Sequence, residues 1–98
     1  MSKTQYRSAN IIIQTILEGI IRAERENNVL KGIVKHHLTK YSGLKTPTAE
    51  KYYAKLEKAN YIEKHEEKWG ERDIIVYTIT ALGRERHDWF VKINTEIE

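Results

Sequence analysis

The chain has 98 residues, with 17 basic and 14 acidic side chains and no cysteine, so its formal charge is +3. That length fits a single domain, small enough that pairing with a second copy would add to its stability. The cysteine count excludes disulfides, thiolate metal sites and thiol redox chemistry; with no signal-like N-terminus and no stretch near the roughly 20 apolar residues of a membrane span, a soluble cytoplasmic protein is expected.

Residues 1–7, with Lys3 and Arg7, are expected to form a flexible arm. Ser8 or Asn10 opens a first helix to about Glu26, in which Ile12, Ile13, Ile16, Leu17, Ile20 and Ile21 cover close to half the circumference. A rim helix needs an apolar stripe of roughly 100 degrees, so the excess predicts burial from two sides. Asn27 and Asn28 break this helix, and a short segment from Val29 to Val34 leads into a second helix from about Lys35 to Ser42. Leu38 and Tyr41 are its expected inward residues, and Gly43 stops it.

Gly43 to Thr46 forms a short turn between two helices, the helix-turn-helix arrangement, with Leu44 in the corner. The third helix is predicted over residues 47–59 of KTPTAEKYYAKLEKANYI. Thr46 caps it, Pro47 fits the first helical position because its missing N–H needs no partner there, and Asn60 takes the left-handed conformation that ends it. Ala49, Tyr53, Leu56 and Ala59 form the buried stripe, which leaves Thr48, Lys51, Tyr52 and Lys55 outward. From Lys31 to Lys58 seven lysines stand against Glu50 and Glu57, whereas the rest of the chain holds ten basic and twelve acidic side chains. This concentration favours a polyanion partner, the alternative being an ordinary solvated lysine-rich face. Thr46 and Thr48 lie where hydroxyls, free N–H groups and the helix dipole suit a phosphate. Lys51 and Lys55, one turn apart, reach guanine edges or backbone, and Tyr52 meets a thymine methyl or a phosphate. Glu50 would repel phosphate, so it either contacts cytosine or pairs with a nearby lysine.

Tyr61 to Glu67 and Asp73 to Thr80 read as two strands of a β-hairpin around KWGER, with Gly70 at the turn. Lys68 and Arg72 suit a phosphate backbone or a minor groove, and Trp69 either stacks beside nucleic acid or packs on protein. Thr80 caps a last helix in which Leu82, Trp89, Phe90, Ile93 and Ile97 share one side. That stripe runs further than so small a core requires. Helices one and four are therefore predicted to form a homodimer interface through Ile13, Leu17, Ile20, Ile21, Trp89, Phe90, Ile93 and Ile97; the alternative is a monomer whose last helix folds back on the first.

Three helices, a two-stranded hairpin and a long C-terminal helix make an α+β, mostly helical chain in winged helix-turn-helix order, one domain over residues 1–98. HLTKYSGLKTPTAEKYYAKLEKANYI resembles MarR-like and PadR-like transcription regulators in its short helix, Gly-Leu corner, Pro-Thr helix start and Leu-Glu-Lys-Ala exit. YTITALGRERHDW resembles their strand-to-helix passage, and the likeness spans residues 33–90. The short chain, isoleucine-rich first helix and long last helix look most like the small dimeric winged-helix regulators of archaea and archaeal viruses. The resemblance implies sequence-specific binding of double-stranded DNA by a homodimer, on the nucleoid or in an infected host cell. It implies base contacts from Thr46, Thr48, Lys51, Tyr52 and Lys55, and a wing at 68–72 that meets the backbone or minor groove. Without extra helices to build a ligand pocket, no small-molecule effector is expected.

His36 and His37 are adjacent, so on a helix they point apart and cannot share one metal; a surface or helix-start role fits them better. His65 and His87 are isolated, no phosphate loop or nucleophile context is present, and neither a metal, a cofactor nor catalysis is expected. Two other functions remain to be separated from a regulator: a protein-docking winged helix of a transcription complex, and an architectural protein that coats any duplex.

Overall fold

The computed structural model describes residues 8–26 and 32–97. Its elements run α1 (Ala9–Glu26), β1 (Ile33–Val34), α2 (Lys35–Ser42), α3 (Thr46–Lys58), β2 (Ile62–Trp69), β3 (Arg72–Ile79) and α4 (Ala81–Ile97), an α+β arrangement of four helices and one antiparallel sheet. The expected N-terminal arm and the Asn27–Asn28 break lie outside the described residues. No described helix is long and apolar enough to cross a membrane.

Local chemistry sets most helix ends. Ser8, rather than Asn10, caps α1: its hydroxyl accepts from the Ile11 N–H at 3.2 Å. Gly43, at φ 67°, closes α2, with its N–H on the Lys40 carbonyl and that of Leu44 on the Thr39 carbonyl. Asn60, at φ 65°, closes α3 in the same way, its N–H on Glu57 and that of Tyr61 on Leu56. Thr80 caps α4 by accepting from the Gly83 N–H at 2.9 Å. The start of α3 differs from expectation. Lys45 is the extended residue that precedes it, Thr46 is its first helical residue, and no side-chain cap is made there.

The core gathers one face of each helix over the sheet. Ile16, Leu17 and Ile20 of α1, Leu38 of α2, and Ala49, Tyr53 and Leu56 of α3 are all buried with Ile62, Tyr77 and Phe90. Each large apolar side chain so buried contributes about 1.5–3 kcal/mol. Two expected core residues are outside it. Ala59 is exposed beyond the last turn of α3, and Tyr41 is 40% exposed. Tyr41 lies instead across Gly19 of α1, where an added Cβ would come within 2.8 Å of the ring, and its hydroxyl accepts from Arg22 at 3.5 Å.

The sheet has three strands in the order β1-β3-β2, not the two of a simple hairpin. β1 is added because Gly32 has no side chain and can lie against the Tyr77 carbonyl, which sets Ile33 opposite Tyr77 and Val34 opposite Val76. β2 and β3 pair from Ile62–Ile79 out to Trp69–Arg72, so Lys68, Trp69 and Arg72 are strand residues and the turn is Gly70–Glu71. Gly70, at φ 66°, supplies the left-handed first turn position. After Ile62 every residue of β2 is exposed, so the hairpin projects away from the core.

α4 folds back on α1. Asn94, buried, donates to the Gln14 side chain at 2.6 Å and to the Asn10 carbonyl at 3.3 Å, while Arg84 pairs with Glu24 at 2.6 Å. The other Glu24 oxygen accepts from the Ile79 N–H at 2.9 Å, which joins the end of β3 to both helices. The expected dimer face is corrected accordingly. Leu17, Ile20 and Phe90 belong to the chain's own core and are closed to a second copy. Ile13, Ile21 and Ile93 are partly exposed, and Trp89 and Ile97 are exposed.

Gly83 is where α4 passes closest to the end of α3 and start of β2: a Cβ there would fall on the Tyr61 carbonyl oxygen and crowd Ile79. Gly83→Ala is expected to destabilise the fold by about 1–3 kcal/mol, through overpacking against backbone that cannot yield, as a fall in the urea unfolding midpoint.

Candidate nucleic-acid interface

The outward side of α3 is set by what the helix buries. With Ala49, Tyr53 and Leu56 inward, Thr48, Lys51, Lys55 and Lys58 are exposed. Tyr52 is intermediate: its side chain packs against the edge of the core, and the Lys55 ammonium sits 5.7 Å from its ring centroid. This pair is within cation–π range, so the Tyr52 ring steers Lys55 as well as covering the core.

The two carboxylates of α3 are each engaged. Glu50 forms an ion pair with Lys35 at the start of α2, which is the second of the two roles its position allows. Glu57 is half-buried and accepts from the Tyr77 hydroxyl at 3.5 Å. Burial, and then the nearby Glu57, push the Tyr77 hydroxyl well above its ordinary range, so it stays a proton donor to that carboxylate. Burial also raises Tyr53, against the Thr39 hydrogen bond, which lowers it. Lys51, Lys55 and Lys58 have no ion-pair partner among the described residues, and they give this side of the helix an uncompensated positive charge.

Thr46 lies apart from that face. It lines a cleft of about 400 Å³ between the starts of α2 and α3 and the start of β3, with Lys35, Thr39, Glu50 and Arg72. The structure therefore brings Thr46 and Arg72 together, and leaves Thr48, Lys51 and Lys55 on the neighbouring outer face. Lys68, opposite Asp73 across the hairpin, pairs with it at 3.2 Å, so of the two basic residues expected to contact DNA from the hairpin tip Arg72 is the one without an ion pair among the described residues. Trp69 is 54% exposed. It does not fold over the core.

Lys35, His36 and His37 were not legible as neighbours of Arg72. The start of α2 at Val34–Lys35 was readable, but its position under the hairpin depends on β1 joining β3. Among the described residues no group of three or more His, Asp or Glu side chains could hold a metal ion. No protein-family model matches the sequence, and no curated protein matches it significantly.

Because Lys35 and Glu50 are both partly exposed, their pairing is expected to add less than about 1 kcal/mol to stability. A double-mutant cycle with Lys35→Ala and Glu50→Ala, read by urea unfolding, should give a coupling of that size that fades at high salt.

Proposed function

We propose that this chain is a winged helix-turn-helix transcription regulator that binds double-stranded DNA sequence-specifically as a homodimer. The lysine face of α3 carries the reading: Lys51, Lys55 and Lys58 point outward with no ion-pair partner among the described residues, while Glu50 and Glu57 are held by Lys35 and Tyr77. A short helix, a glycine-closed turn and a second helix that presents such a face suit a reading helix laid in a major groove. In this reading Thr48, Lys51 and Lys55 face base edges and adjacent phosphates, Tyr52 meets the edge of the strand, and Thr46 lies nearer the hairpin. The hairpin of β2 and β3 is the wing, with Arg72, and more weakly the paired Lys68, on the backbone or minor groove.

The second copy is argued from α4. Trp89, Ile93 and Ile97 follow one another at four-residue spacing, wholly or partly exposed, beside the inward stripe of Phe90 and Asn94. An uncovered row of this kind, with Trp89 edge-on to Phe90 at 5.6 Å, fits an isologous contact that sets two α3 helices about one turn of DNA apart. The same row would serve a different protein, which is the docking-module alternative.

Lys51→Glu with Lys55→Glu is expected to weaken binding to a duplex recovered by selection from a random pool by about 30-fold or more, two contacts of about 1–3 kcal/mol each being lost. Circular dichroism should be unchanged, since both side chains are exposed. Binding equal to the parent's would place the reading face elsewhere. For the dimer, Trp89→Ala with Ile97→Ser should raise the dissociation constant of self-association about tenfold or more by sedimentation. A parent chain that sediments as a monomer at all concentrations would favour the docking module.

A further inference from the structure

We propose that the groove between α2 and the tip of the hairpin is a second contact for the duplex, in which His36, His37 and Arg72 hold backbone phosphates and Trp69 forms a wall. The inference rests on the reading of the chain as a duplex-binding protein. It adds two residues that the recognition helix and wing alone do not include.

The groove is open, about 420 Å³, and is lined by Val34, His36, His37, Trp69, Arg72 and Ile74. It runs into the cleft that Thr46 lines, since His36, Arg72, Val34 and Ile74 belong to both. A strand passing the start of α3 therefore meets it next. The ionisable side chains that line it are all basic. Of the carboxylates around it, Glu50 from α3 and Asp73 from β3 are paired with Lys35 and Lys68, while Glu67, opposite Ile74 on the strand face of Trp69, and Glu71, next to Arg72 in the turn, stand exposed at its hairpin end. Arg72, His36 and His37 are left without ion pairs among the described residues.

These side chains suit phosphate better than a base edge. The guanidinium fork of arginine matches two phosphate oxygens, and two adjacent imidazoles that diverge along a helix fit successive points of a polyanion and not one small ligand. The rings of His36 and His37 are 6.1 Å apart and tilted. Trp69, more than half exposed and directly across the strands from Arg72, offers an indole face to a sugar or an edge of the backbone. An imidazole holds phosphate most strongly as its cation, so the number of phosphates neutralised should rise on mild acidification.

The test is the salt dependence of binding to a fluorescent random-sequence duplex at about pH 5.5 and about pH 8. Phosphate contacts do not depend on sequence, so no operator is needed. The parent chain should show a steeper dependence of log affinity on log salt at the lower pH, by about 0.9 for each histidine engaged. His36→Gln with His37→Gln should remove that difference and leave the slope at pH 8 unchanged, and Arg72→Gln should lower the slope by about 0.9 at both. His65 and His87 remain in the double variant, so a pH effect arising from them would survive in it. A double variant that keeps the parent's pH difference, or an Arg72→Gln chain with the parent's slope, overturns the groove contact alone if Lys51→Glu with Lys55→Glu still weakens binding. A parent chain with no duplex affinity at low salt, or one that takes single-stranded RNA instead, overturns both this contact and the function it rests on.

Discussion

Tyr53 joins three elements, and the outward face of α3 follows from how it is seated. Its ring lies 4.9 Å from that of Tyr77 on β3, its hydroxyl is bonded to Thr39 on α2 at 2.8 Å, and Tyr77 reaches back to Glu57 on α3. Both rings are essentially inaccessible to water. Side chains three and four positions apart share a helix face, so with Tyr53 inward alongside Ala49 and Leu56, Lys51, Lys55 and Lys58 have to point out. Rotating α3 by one position would release a buried aromatic, at about 1.5–3 kcal/mol, and press an ammonium toward the core, at several kcal/mol more. The orientation of the lysine face is therefore set by the packing of the core.

The same packing decides what becomes of the carboxylates. Glu57 lies on the flank next to the sheet, where a protonated Tyr77 can donate to it, and Glu50 lies on the flank next to α2, where Lys35 meets it. Neither contact adds much stability, because one is long and the other partly exposed. Their effect is on the field: both negative charges of the helix are drawn to its sides and the outer face keeps only positive ones. A helix with ordinary composition, three outward lysines and two acids, thereby acquires a one-sided potential of the kind that draws in a polyanion.

What was legible in the sequence was whatever a few neighbouring residues decide. Gly43 and Asn60 had to end helices because the conformation they adopt is one few residues tolerate, and Thr80 could be read as a cap from its hydroxyl and the apolar run behind it. Thr46 misled because Thr-Pro is a common helix start, whereas here the extended residue is Lys45 and the helix begins one position earlier. β1 was not readable at all: two residues carry no periodicity, and their pairing depends on Gly32 fitting against a strand more than forty residues away. The candidate site divides along the same line. The outward residues of α3 followed from local periodicity, while the approach of His36 and His37 to Arg72 depended on that distant pairing.

The apolar surplus of α1 and α4 is met in part from within the chain itself. Burial of α1 from two sides was expected, and α4 supplies one of those sides from within the same chain. Asn94 determines how. It is a buried amide whose N–H groups are satisfied only when α4 is placed with that residue against Gln14 and the Asn10 carbonyl, so the contact selects one rotation and one register much as a polar residue does in a coiled-coil seam. Fixing that rotation directs Phe90 inward and, one residue earlier in the chain, Trp89 outward, with Ile93 and Ile97 on the same side. The direction in which the exposed row faces is thus set by the buried one, so a partner that docks on it, in the reading proposed above a second copy, meets a helix whose rotation is already fixed and need not be ordered on binding.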